Sequence, residues 1–391
     1  MTGIFCHYLP IYKDKNGNYC STTLTNDLFK RYLRVVEKLY VLTRVYNVNS
    51  TYEEMHQEKI DVPGVEVVDF PNLSSPKRFI HLKKYKKIIF KYINESDLVF
   101  IRGGLIADLA AKYSQKIKKP YLFECAYCSF DDYWNHGIVG KFIAPFMELR
   151  QKNIAKNAAY VIYVTEKWLQ KRYPTKGCFT YASNVYLDGF DDNVLANKKI
   201  RNEQLNKRTI LVGTIGGIDN KAKGHRFVLK AMKLLKEKYD LDINYEIVGS
   251  GEGTTLKAIA VKNKVDNHFF IKGQMTHIEI MNWLDNIDIY IQPSLQEGLP
   301  RSLIEAMSRG CLAIGSSTAG IPELLPEKYV FERGKYKDLA HKLFDLINSE
   351  DKDKASYANF IKSKEYNLSD LNARRNHIYD LYNLKVEESK N

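Results

Sequence analysis

Short apolar runs alternate with amphipathic stretches from one end of this chain to the other. In the first half the runs Gly3–His7, Leu39–Arg44, Val65–Asp69, Leu98–Ile101, Tyr121–Cys125, Tyr160–Val164 and Phe179–Ala182 read as strands. Helical spacing predicts Ser21–Glu37, Arg78–Ile93, Leu105–Ile117, Lys141–Lys156 and Glu166–Arg172 between them. The second half repeats the pattern, with strands at Thr209–Gly213, Asn244–Val248, His268–Ile271, Ile287–Ile291, Leu312–Gly315 and Tyr329–Phe331. Its helices are predicted at His225–Tyr239, Thr255–Asn263, Ile278–Asp285, Ser302–Arg309 and Tyr336–Asn348. Continuously apolar strands between amphipathic helices form parallel sheets covered on both faces. The expected class is therefore α/β, with two doubly wound, Rossmann-like domains facing across a cleft.

A length of 391 residues also fits two cores better than one. The polar, turn-prone stretch from Asp188 to Arg208 reads as the hinge. The expected domains are 1–190 and 205–365, with a C-terminal helix over about 366–391 packing back onto the first. No apolar run is long enough to cross a bilayer, and Met1–Lys15 has no secretion-signal pattern. Six cysteines in so long a chain fit a reducing cytoplasm, which is the expected location. The single pair Cys125 and Cys128 does not make a zinc site, so no metal is expected.

The net charge of +13 is concentrated in residues 77–91, where seven lysines and arginines interleave with apolar residues and no acid intervenes. A solvated helix face and attraction to an anionic membrane surface are competing readings. No nucleic-acid reader motif accompanies the charge, so nucleic acid is not an expected partner.

The chemistry concentrates at Glu297–Gly298–Leu299–Pro300–Arg301–Ser302–Leu303–Ile304–Glu305. Two carboxylates bracket a helix start whose backbone N–H groups lack intrahelical partners, and such a start draws phosphate oxygens. Carboxylates beside it can accept hydrogen bonds from sugar hydroxyls. The combination suits a nucleotide-diphosphate sugar.

The same stretch, with Gln292–Pro293–Ser294 before it and Glu305–Ala306–Met307, Gly310, Gly320 and Ile321–Pro322–Glu323–Leu324 after it, resembles glycosyltransferase family 4 of the GT-B fold. Gly213–Thr214, Lys223–Gly224 and Val248–Gly249–Ser250–Gly251 extend the resemblance through the second half. In the first half, Trp134–Asn135–His136–Gly137, Tyr163–Val164–Thr165, Tyr173–Pro174 and Ser183–Asn184 look like bacterial members that build surface polysaccharides, capsule or lipopolysaccharide among them.

The resemblance implies a retaining, metal-independent transferase with no cofactor beyond its co-substrate, a UDP-sugar ahead of a GDP-sugar. Glu297 would contact donor-sugar hydroxyls, Glu305 the ribose, and Lys223 the diphosphate, together with the backbone of Gly298, Leu299 and Pro300. Lys272, Gly273 and Gly217 would line the nucleotide pocket. Many relatives carry arginine where this chain has Thr214, and Arg301 is the candidate replacement cation; the competing reading points it to solvent or pairs it with Glu305. Gly17 and Asn18, expected to face the cleft, and His136 are candidates on the acceptor side. The acceptor would be a glycan or polyprenyl-linked glycan. A covalent role for Glu297 is the rival mechanism, and a non-catalytic nucleotide-sugar or glycan-binding module of the same fold is the rival function.

Overall fold

The computed structural model describes residues 1–55, 57–71, 73, 82–205 and 209–390. Its strands are β1 (Thr2–Cys6), β2 (Ile11–Lys13), β3 (Tyr19–Ser21), β4 (Lys38–Asn47), β5 (Glu58–Lys59), β6 (Val65–Phe70), β7 (Leu98–Ile101), β8 (Leu122–Cys125), β9 (Tyr160–Tyr163) and β10 (Cys178–Tyr181) in the first half. The second half holds β11 (Ile210–Ile215), β12 (Ile243–Val248), β13 (Phe269–Gly273), β14 (Ile289–Gln292), β15 (Leu312–Ser316) and β16 (Val330–Phe331). The body of the N-terminal sheet runs β10-β9-β8-β7-β1-β4-β6 with every neighbouring pair parallel, and β4 also pairs with β2, beyond which β3 and β5 add antiparallel strands. The C-terminal sheet runs β13-β12-β11-β14-β15-β16, also parallel throughout. Strands β7, β8, β9, β14 and β15 are buried at every position, as apolar strands covered on both faces must be.

The helices are α1 (Asn26–Leu33), α2 (Leu82–Glu95), α3 (Gly104–Lys116), α4 (Ser129–Trp134), α5 (Gly137–Asn157), α6 (Trp168–Arg172), α7 (Asn193–Glu203), α8 (His225–Tyr239), α9 (Thr254–Lys262), α10 (His277–Asn286), α11 (Arg301–Ser308), α12 (Ile321–Leu324), α13 (Tyr336–Ile347), α14 (Lys352–Lys364) and α15 (Leu368–Glu388). The crossovers from β6 to β7, β7 to β8 and β8 to β9 all advance in one direction. Their right-handedness puts α2, α3 and α5 side by side on one face of the N-terminal sheet. The opposite face carries α1 and α15.

Several sequence expectations change in detail. The predicted first helix is shorter, because Ser21 closes a β2–β3 hairpin and Thr25 caps the helix by accepting from Leu28 N. Gly17 and Asn18 sit at the tip of that hairpin, where the Asp14 carboxylate accepts from the backbone N–H groups of Asn16 and Asn18 at 2.9 and 2.7 Å. They line none of the cavities described below, which corrects their expected position facing the cleft. Residues 78–81 of the predicted basic helix lie outside the described residues. The linker is half structured: α7 belongs to the second domain, where Lys198 Nζ donates to the carbonyls of Leu284, Asp285 and Ile287 at 2.7, 3.1 and 2.6 Å.

Helix α15 returns to the first domain. Tyr382 OH donates to Pro120 O at 2.8 Å and accepts from Val99 N at 2.9 Å, while Arg34 and Asp380 pair at 2.7 Å. The chain thus crosses the gap between domains twice. Tyr382→Phe would strand a buried strand N–H and a carbonyl, so a loss of about 2 kcal/mol is expected. Thermal melting of the variant against the wild type checks this, and an unchanged midpoint would deny that α15 is anchored there.

Candidate active site

The strand order of the C-terminal sheet reverses between β11 and β14, and ligands in such sheets sit beyond the carboxyl ends at that point. Three glycine turns converge there. Gly249, after β12, approaches Gly216, after β11, so closely that an added Cβ would lie 2.1 Å from its carbonyl oxygen. Gly249 N donates to Gly273 O at 2.9 Å, at the end of β13. A Cβ added at Gly273 would meet nothing within 4 Å, so this edge is open. Lys272 beside it is exposed and pairs with Glu246 at 3.6 Å.

Lys223 ends a short 3-10 turn, Lys221–Lys223, which Asn220 caps by accepting from Ala222 N at 3.0 Å. Gly224 follows at φ +76°, and a side chain there would strike Pro293 O at 1.9 Å. That contact presses the lysine turn against the loop after β14. Lys223 Nζ reaches Glu297 Oε1 at 2.7 Å. The same carboxylate oxygen accepts from Ser294 Oγ at 2.7 Å and from Gln292 Nε2 at 3.1 Å. Gln292 is buried, and its Oε1 accepts from Tyr290 OH at 3.0 Å and Ser302 Oγ at 3.2 Å. A buried, satisfied network of this kind fixes rotamers. Oε1 of Glu297 is therefore fully engaged, and Oε2 is the oxygen left for a ligand.

Helix α11 starts at Arg301 without any side-chain cap, so its first N–H groups are open to an anion. Pro300 is the N-cap residue. Gly298 packs across the cleft, where an added Cβ would lie 2.0 Å from Ala126 O. Arg301 is exposed and lines the same cavity of about 300 Å³ as Lys223, Glu297, Gly298 and Leu299. It forms no ion pair with Glu305 within salt-bridge distance, though its charge acts on that group. The carboxylate of Glu305, four residues further along α11, has no hydrogen-bond partner among the described residues. Burial pushes its carboxyl above the usual carboxylate range, opposed by the nearby Arg301 and His277.

Thr214 does not point at this cavity. It lies inside β11, fully buried, donating to Ile291 O at 2.8 Å and accepting from Tyr245 OH at 3.1 Å. Its side chain occupies the core, so the position offers nothing to a phosphate.

The first domain contributes residues that spacing did not single out. Arg102, Tyr127 and Asn184 line the opposite wall of the cavity. Arg102 follows the apolar strand β7, and a charge at the carboxyl end of a buried strand is the signal that could have found it. It faces Glu124 at 3.5 Å, and that carboxylate also accepts from Tyr32 at 2.7 Å and Tyr379 at 3.0 Å. Two polar contacts hold the domains together at the rim: Gln296 Nε2 donates to Asp132 Oδ1 at 2.7 Å, and Arg333 Nη1 to Asp131 Oδ1 at 3.1 Å. Glu323 reaches across as well and accepts from the backbone N–H groups of Glu166, Lys167 and Trp168. His136 lies apart, at the head of α5, sharing a hydrogen bond with the Asp132 carbonyl. It faces a second cavity of about 440 Å³, lined also by Arg44, Tyr8 and Tyr133. Tyr127 lines both cavities, so they are neighbours.

The profile of "Glycosyl transferases group 1" matches residues 196–364, which contain the lysine turn, the α11 start and all three glycine turns. Protein CapJ of Staphylococcus aureus is 34% identical over 99% of this chain and 94% of its own length. The chain belongs to the group 1 glycosyl transferases. The amylovoran biosynthesis glycosyltransferase AmsK of Erwinia amylovora is 32% identical over 26% of this chain and 27% of its own. Among solved structures, Anabaena HepE in complex with UDP superposes with a TM-score of 0.63 at 16% identity, covering 96% of this chain and 99% of that one. WaaG, a glycosyltransferase involved in lipopolysaccharide biosynthesis, gives 0.64 at 14% identity over 98% and 99%. These neighbours share the GT-B fold, and the expected likeness to bacterial surface-polysaccharide glycosyltransferases holds.

In this group 1 glycosyltransferase His225 braces the glycine turn after β11. Its ring bridges Tyr245 OH at 3.0 Å and Gly217 O at 3.3 Å, tying the first glycine turn to the core. Burial lowers its pKa from 6.5 to about 4, with the Lys223 charge adding to the effect. The unfolded chain therefore binds this proton first as pH drops. The stability present above pH 6.5 is lost as pH falls toward 4. His225→Gln is expected to flatten that slope by up to about 3 kcal/mol. Denaturation midpoints measured across this window check it, and an unchanged slope would contradict the assignment.

Proposed function

We propose that this glycosyltransferase moves a sugar from a UDP-sugar to a glycan or polyprenyl-linked acceptor in surface-polysaccharide synthesis, with retention at the anomeric carbon and without a metal ion. The observation that carries this reading is the meeting of Lys223, Glu297 and the uncapped start of α11 in one cavity. An ammonium group, an open helix start and the Arg301 guanidinium surround the space where charge develops on a departing diphosphate. These protein cations and dipoles do there what a divalent ion does in metal-dependent transferases. Glu297 Oε2 accepts from donor-sugar hydroxyls, while Lys223 holds Oε1 until the diphosphate arrives. Glu305, unpaired and half-buried, accepts from the ribose hydroxyls; Gly217, Gly249 and Gly273 leave room for the base. That Anabaena HepE was solved with UDP and with UDP-glucose supports uridine as the base.

The bond between the anomeric carbon and the diphosphate oxygen breaks with oxocarbenium character. The acceptor oxygen attacks from the face the diphosphate leaves, and the departing phosphate oxygen takes the acceptor proton. No protein base is then required. The acceptor approaches through the cavity beside His136. Arg44 Nε there is buried and has no hydrogen-bond partner among the described residues, which suits an anionic acceptor. The protein works at a membrane surface, to which the exposed lysines of α2 contribute attraction.

Thermal shift ranks the donors: a ligand at a hundred times its dissociation constant should add about 2.7 kcal/mol, with UDP ahead of GDP. Glu305→Gln is expected to weaken nucleotide binding roughly tenfold or more. Lys223→Ala should lower turnover about a thousandfold and Arg301→Ala about tenfold to a hundredfold. A chelator should change neither rate nor product, and the product should keep the donor's anomeric configuration by NMR. An inverted product would overturn retention. Full activity of Arg301→Ala beside a dead Lys223→Ala would remove Arg301 from the leaving-group site.

A further inference from the structure

We propose that the outward face of α5 docks the protein on an anionic lipid bilayer. Over its first four turns this helix is packed inside out. The side turned toward the domain carries Gly140, Ala144, Glu148 and Gln151 there, and only the last turns bury the apolar Ile154 and Ala155. Glu148 accepts from Tyr173 OH at 2.5 Å and pairs with Arg172 at 3.1 Å. Gln151 accepts from Ser129 N and donates to Tyr127 O, both at 2.8 Å. The solvent side carries Ile138, Phe142, Phe146 and Leu149 at 76, 75, 69 and 64% exposure. Spacings of four, four and three residues align them in one row. A helix serving only its own core has the opposite arrangement, and a contiguous exposed apolar patch marks an interaction surface.

The charge around the row identifies the partner. Lys141 and Lys152 flank one edge of it and Arg150 the other. On the same face of the sheet, α2 and α3 add exposed Lys83, Lys84, Lys87, Lys91, Lys112 and Lys116. The acidic side chains of these three helices are each matched by a basic one: Glu95 by Lys91, Asp108 by Lys112 and Arg150, Glu148 by Lys152 and Arg172. An apolar row rimmed by cations fits the acyl boundary beneath anionic headgroups. Helix α5 would lie in the interface plane, since no helix among the described residues is long and apolar enough to cross a membrane. Val139 and Ile143, on the first turns of α5, also wall the cavity that holds Arg44 and His136. The docking face therefore leads into that cavity. That continuity matters only if the acceptor is lipid-linked, as proposed above, whereas the docking face stands without it.

Flotation of the full-length protein with vesicles tests this. Binding is expected to an equal mixture of phosphatidylglycerol and phosphatidylcholine and to be much weaker to phosphatidylcholine alone. The double variant Phe142→Asp/Phe146→Asp should bind the mixed vesicles roughly a hundredfold less, with an unchanged UDP-induced thermal shift showing an intact fold. Lys83→Glu/Lys87→Glu should also weaken binding, through charge alone. Wild-type protein that stays unbound, a phenylalanine variant that floats like the wild type, or equal binding to neutral vesicles would overturn the proposal. So would a concentration-dependent dimer that the phenylalanine variant abolishes, because the face would then be an interface between copies. Protein that floats yet transfers no sugar would refute the transferase reading alone, and protein that transfers sugar to a soluble acceptor but never floats would refute docking alone.

Discussion

Everything at the centre of this molecule depends on the contact between the lysine turn and the loop after β14. Gly224 has no side chain and adopts a left-handed backbone, so the turn ending in Lys223 can press on Pro293. That closeness puts the Lys223 ammonium on Glu297 at 2.7 Å. Ser294 and Gln292 then hold the same carboxylate oxygen. A lysine that paired with water instead would keep several rotamers and would have to be ordered when an anion binds. Here the ordering is done by the fold, and a ligand needs only to displace one partner of an ion pair that is already in place.

The two domains share the work unequally. The second gathers three glycine turns and one uncapped helix at the carboxyl edge of one parallel sheet. The first supplies a wall, with Arg102 as its cation, and a neighbouring cavity beside His136. The domains meet through Gly298 against Ala126 and through polar links from Gln296, Arg333 and Glu323. Such links suit an interface that opens and closes, because their groups can exchange for water at little net cost. The Glu323 carboxylate, capping the first turn of α6, is the most directional of them.

Much of this was legible in the chain itself. Strands such as Leu98–Ile101 were found to the residue, because four consecutive apolar positions between helical stretches have few other readings. The helix start at Arg301 was legible because a Glu-Gly-Leu-Pro run, with proline as the residue before the first turn, both ends a loop and opens a helix. The hairpin β2–β3 escaped notice, since strands of three residues carry too little alternation to register. Helix α7 escaped for a different reason. Its asparagines and lysines look like a linker, and tertiary partners make a helix worthwhile there: the carbonyls of Leu284, Asp285 and Ile287 around Lys198, Asp288 beside Arg201, and Asp353 and Ser356 beside Asn202.

Local pattern determined the fold class, the division into two sheets and the run of residues at the start of α11 that lines one cavity with Lys223, because each of these is written in spacing along a few turns or strands. Tertiary structure decided the rest. It turned Thr214 into the core, sent Gly17 and Asn18 to a hairpin tip, brought Arg102 to the cavity and left Glu305 unpaired. It also placed the apolar row of α5 on the outside, which no periodicity could announce, since an apolar stripe looks the same whether it faces a core or solvent. Those outcomes depend on which groups from distant parts of the chain are within reach of one another, and that is settled only when the sheets close.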